Sequence, residues 1–106
     1  MLDFYDYYKP QLTNVHTRHK HFVCTGPVTY RGENQLKTDL DNLATALEGV
    51  NVTGVFVPST SVSSIEDWNR NQYYKSVEDY LGALADAINV EYRAIVDAGF
   101  TLQVDD

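Results

Sequence analysis

The residues best equipped for chemistry stand in short groups. Asp105 and Asp106 close the run FTLQVDD, two adjacent carboxylates at the tip of an apolar segment. An acid there either caps a following helix or stands at the rim where parallel-sheet proteins meet their ligands. The pattern alone leaves both open. His16, His19 and His21 precede Cys24 in HTRHKHFVC, and zinc sites use these residue types. However, His21 and Cys24 are an odd number of residues apart and point to opposite faces of a strand. Arg18 and Lys20 interleave the histidines and repel a cation. A solvated lead-in, with Cys24 as a small core residue, is the better reading. Hydroxyls and one cation come from Thr29-Tyr30-Arg31 and Ser59-Thr60-Ser61.

The elements that must position these groups alternate after residue 20. HFVCTGPVTY (21–30) has strand composition, interrupted or ended by Gly26-Pro27. Leu36, Leu40, Leu43, Ala44 and Leu47 form one helical face, closed by Gly49. VTGVFV (52–57) reads as a buried strand bounded by Pro58. Ser63 and Glu66 have capping-box spacing, which predicts a short helix starting there. A long helix opens at Ser76 with the apolar face Val77, Tyr80, Leu81, Leu84, Ile88, Tyr92, Ile95 and Val96. Gly99 ends it, and 100–104 forms a third strand. The order of main elements, strand, helix, strand, helix, strand, implies parallel strands joined by crossovers. All three polar groups then fall after strand ends, on one rim. The histidines fall at the opposite end.

The chain has 106 residues, room for one domain, and 43% hydrophobic residues, enough for a core. A net charge of −7 with dispersed acids argues against a nucleic-acid surface. No run approaches the ~18 apolar residues of a membrane helix, and MLDFYDYYKP lacks the pattern of a signal peptide. One cysteine allows no internal disulfide and fits a reducing cytoplasm. Three strands with two long helices leave exposed sheet edges, whereas a complete (β/α)8 barrel takes about 250 residues. The expected organisation is a lead-in over 1–20 and, over 21–106, a partial (β/α)8 TIM barrel cut at its C-terminal side.

EYRAIVDAGFTLQVDD (91–106) resembles the helix-strand segment of cobalamin-independent methionine synthases and their shorter relatives, where Ala-Gly leads into Gln-Ile-Asp-Asp/Glu-Pro. GPVTYRG (26–32) is similar to the family's Gly-Pro-Val/Leu-Thr strand end. NQYYKSVEDYLGALADAINVEYRAIVDAG resembles the long helix of the shorter relatives, with its paired tyrosines. The resemblance implies a methionine synthase-type barrel that moves a methyl group from methyltetrahydrofolate to the sulfur of homocysteine. Zinc lowers the pKa of that thiol so that a thiolate attacks. By the same resemblance, Asp105 holds the homocysteine ammonium, a charge-assisted hydrogen bond. Asp106 supports the site or meets the pterin. Gly26, Pro27 and Thr29 shape the cleft, and Ser61 completes it, although its loop reads PSTSVSS where relatives carry Ser-Pro-Gly.

The family's zinc ligands, a His-x-Cys pair, a Glu and a further Cys, lie downstream of the Gln-Ile-Asp-Asp/Glu strand, so this chain contains none of them. The 106 residues alone are therefore expected to bind neither zinc nor homocysteine well. Two alternatives remain. One is a related barrel enzyme, an alkyl-thiol transferase or a metal-free porphyrinogen decarboxylase. The other is an inert truncated chain that associates through its open edges.

Overall fold

The computed structural model describes residues 22–106. The lead-in, with His16, His19 and His21, lies outside the described residues. The elements run β1 (Phe22–Cys24), α1 (Glu33–Ala46), β2 (Phe56–Thr60), α2 (Val62–Trp68), β3 (Asn69–Asn71), α3 (Val77–Asp97) and β4 (Thr101–Asp105). β1 pairs with β3 and β2 with β4, both parallel, in two separate two-stranded sheets. The fold is α/β with parallel strands, as the alternation predicts. The expected single run of three strands is replaced by two pairs, and the described residues form no closed barrel.

α3 starts and stops for the reasons visible in its sequence. The Ser76 hydroxyl accepts the Asp79 N–H at 3.1 Å, and Glu78 and Asp79 place negative charge on the positive end of the helix. Gly99 takes φ 91°, which side-chain-bearing residues rarely adopt. Tyr80, Leu84, Ile88 and Ile95 are buried in one stripe, and Ile95 is 0% exposed. Val96 is exposed because it points more than a quarter-turn away, at about 100° per residue. Val77, in the first turn, is exposed as well. α1 contributes Leu40 to the core and is closed by Gly49 at φ 73°.

The strands depart from expectation in informative ways. β1 ends at Cys24, just before Gly26-Pro27, one of the two outcomes that pair allowed. Pro27 has no N–H to offer a ladder, the Cys24 thiol donates to the Gly26 carbonyl at 3.2 Å, and the Val28 N–H goes to the Tyr74 hydroxyl at 2.8 Å. β2 covers Phe56–Thr60 instead of residues 52–57 and contains Pro58. A proline is tolerated there because, among the described residues, β2 has a partner on one side only. Among the described residues no helix is long and apolar enough to cross a membrane.

Candidate functional site

The C-terminal ends of β2 and β4 bring hydroxyls and carboxylates together. In register, Phe56 faces Thr101, Pro58 faces Gln103, and Thr60 faces Asp105. Alternation puts these six residues on one face of the sheet. All are exposed, with Phe56 58% exposed. The opposite face carries Val57, Ser59, Leu102 and Val104; α3 packs across both strands there, and all but Val104 are less exposed. Tyr92 ties α3 to the strand tip by donating its hydroxyl to the Thr60 carbonyl at 2.6 Å.

The two acids have different surroundings. Asp105 lies on the open face, and its Oδ1 accepts from Gln103 Nε2 at 2.8 Å. Gln103 and Asp105 are two residues apart on one strand, so the backbone alone sets them side by side. Asp105 Oδ2 has no protein partner among the described residues. Asp106 is turned toward α2. Its Oδ1 accepts from the Ser61 hydroxyl at 2.7 Å and from the Ser63 hydroxyl. These donors, Ser63 before Ser61, hold the Asp106 carboxyl below its usual range, against a smaller upward push from burial.

Ser61 sits at the centre of this arrangement. Its N–H donates to the Asp105 carbonyl at 2.8 Å, extending the β2–β4 ladder by one bond. Its hydroxyl accepts the Ser64 N–H at 3.1 Å, so Ser61 rather than Ser63 is the N-cap of α2. The capping-box expectation misplaced the cap by two residues: α2 already begins at Val62, so Ser63 lies inside its first turn. Ser59 and Thr60, expected in a loop, belong to β2. The Ser59 hydroxyl is buried without a partner among the described residues, the residue being 7% exposed.

Gly26, Pro27 and Thr29 belong to a second group. They lie on the segment leaving β1, which is anchored to Tyr74. Tyr74 is in turn held by the Asn71 side chain, which accepts the Tyr73 and Tyr74 N–H groups and donates to the Tyr74 carbonyl. Thr29 lines a recess of about 370 Å³ with Val28, Tyr30, Glu33 and, from α3, Asp86 and Val90. Burial first, then the carboxylates of Glu91 and Glu33, push the Tyr30 hydroxyl above its usual pKa. The structure therefore joins Ser61, Asp105 and Asp106 in one cluster and places Gly26, Pro27 and Thr29 on the β1–β3 side.

Gln103, Ser63 and Tyr92 are members of the site that sequence reasoning did not assign to it. Strand alternation could have found Gln103. The tie from Tyr92 spans 32 residues and has no local signature. The described residues gather no set of three His, Cys, Asp or Glu side chains able to hold a metal ion. Comparison with protein-family models, with curated proteins and with solved structures returns no match for this chain.

Proposed function

We propose that this chain carries the amine-binding part of a homocysteine methyltransferase of the cobalamin-independent methionine synthase type, built on a (β/α)8 barrel. Methyltetrahydrofolate is the methyl donor in this reading, and the zinc ligands come from outside the described residues. The observation that carries it is the setting of Asp105. This carboxylate stands at the C-terminal end of a parallel strand, on the face that no helix of the described residues covers, with one oxygen steadied by Gln103. In a barrel that face is the interior, and strand ends are where substrates bind.

An ammonium at Asp105 would form a charge-assisted hydrogen bond to the oxygen that Gln103 leaves unused. Gln103 fixes the carboxylate rotamer, so less freedom is lost on binding. Thr60, directly opposite, lies beside the same position. These residues bind and orient the amino acid. No step of thiol activation is assigned to them.

The test is isothermal titration of the protein, as its gene encodes it, with homocysteine and with 4-mercaptobutyrate, which lacks the amine. Homocysteine should bind at least about tenfold more tightly, and Asp105→Asn should erase that difference, as expected for a charged hydrogen bond. Equal affinities in the wild-type protein, or an unchanged preference in the variant, would overturn the reading.

A further inference from the structure

We infer that Asp106 is a positioning residue: through the Ser61 and Ser63 hydroxyls it latches the start of α2 to the tip of β4 and so holds Asp105 in its place on the open face. Three bonds make the latch. Asp106 Oδ1 accepts from both hydroxyls, and the Ser61 N–H donates to the Asp105 carbonyl. Ser61 thus grips both residues of the acid pair, Asp105 by its backbone and Asp106 by its side chain.

The geometry separates the roles of two chemically identical neighbours. Adjacent strand residues point to opposite faces, so the side chains of Asp105 and Asp106 diverge. Asp105 meets Gln103 and the open face, whereas Asp106 meets serines of the adjoining turn. The same Ser61 hydroxyl that donates to Asp106 accepts the Ser64 N–H and approaches the Ser64 hydroxyl at 3.0 Å. Its orientation is therefore fixed from both ends. If Asp106 let go, Ser61 would lose the acceptor that sets its rotamer, and the last bond of the β2–β4 ladder would open more often. Asp105 is itself the acceptor in that bond. What Asp106 supplies is an acceptor oxygen at a fixed place; ionisation strengthens that acceptor, and a neutral amide oxygen at the same place still provides one.

That distinction can be tested with two substitutions. Asp106→Asn keeps an acceptor oxygen and removes the charge; Asp106→Ala removes both. The first readout needs no ligand: hydrogen exchange of the Ser61 amide, which should quicken at least about fivefold in Asp106→Ala and stay near wild type in Asp106→Asn. Ser63→Ala, which leaves Asp106 and the α2 cap intact, should give an intermediate rate and serves if Asp106→Ala does not fold. The second readout rests on the proposed role of Asp105. Homocysteine affinity should fall about tenfold or more in Asp106→Ala, as for a misplaced binding group, and be restored in Asp106→Asn.

Unchanged Ser61 exchange in Asp106→Ala, or in Ser63→Ala if that is the variant available, would overturn the latch. Asn behaving like Ala in either readout would overturn the acceptor role and point to charge. Absence of homocysteine binding in the wild type would count against the methyltransferase reading alone, because the exchange experiment decides the latch without it.

Discussion

At the scale of single residues, the acid pair makes a prediction about pH. Hydroxyl donation from Ser63 and then Ser61 favours the ionised form of Asp106, holding its pKa below the ordinary 3.8. A carboxyl depressed in the folded state stabilises the protein above its unfolded value and loses that contribution as pH falls through the folded one. The latch should therefore be strongest at neutral pH and weaken in acid below the ordinary carboxylate range, where the neutral carboxyl, like the amide of Asp106→Asn, still offers an acceptor oxygen. The 13C shift of the Asp106 carboxyl should titrate below 3.8, and Ser63→Ala should move the midpoint upward. A midpoint at or above 3.8 would contradict the hydrogen bonding described. Tyr30 gives a signal at the other end of the scale. Its hydroxyl is raised above 10.0 by burial and then by Glu91 and Glu33. Glu91→Gln should lower the midpoint of its phenolate absorbance. Because the folded state disfavours the phenolate, Tyr30 leaves stability unchanged below its unfolded pKa and lowers it as pH rises past 10.0 toward the raised folded value.

At the scale of elements, α3 is the member on which the rest depends. It packs on α1, on α2 and across both strands of the β2–β4 pair. Ile95, fully buried, has no room to relax into solvent, so Ile95→Ala should cost about 2–5 kcal/mol in a denaturant melt. Ser59→Ala should do the reverse. It removes a buried hydroxyl with no partner among the described residues and should stabilise by about 1 kcal/mol. α3 was legible in the sequence because its cap, its apolar stripe and its closing glycine are all local signals. β2 was displaced because Pro58 reads as a stop. A proline is excluded only from a strand paired on both sides, and the number of partners is a property of the sheet, not of the segment. β3 could not be read at all: Asn69, Arg70 and Asn71 have no strand propensity, and pairing with β1 alone makes them a strand. The acid pair was legible as a pair. Which acid faces the open side followed only from register with β2, since one residue of slip exchanges them.

At the scale of the whole molecule, the open face of the β2–β4 sheet has the largest consequence. The described residues bury five apolar side chains, Leu40, Tyr80, Leu84, Ile88 and Ile95, while Phe56, Trp68 and Phe22 stay largely exposed. Parallel sheets are covered on both faces in stable proteins, so the face bearing Phe56 requires a partner, which the proposed barrel supplies as its own interior. Phe56 reports on this directly. In the 106-residue chain it already meets water, so Phe56→Ala should change stability by less than about 0.5 kcal/mol, as for an ordinary surface position. Within a closed barrel the same substitution would empty a packed interior and cost about 3–5 kcal/mol. Denaturant melts of Phe56→Ala in the 106-residue chain and in a chain extended to barrel length therefore separate the two states. A dye that fluoresces on apolar surfaces should bind the short chain and lose signal with Phe56→Ala, and it should ignore the extended one. Equal, small effects in both lengths would mean that this face stays open and that Asp105 stands on a surface rather than in a pocket. The ammonium bond would then be screened by water and weakened accordingly, which would remove the physical basis for selective amine binding.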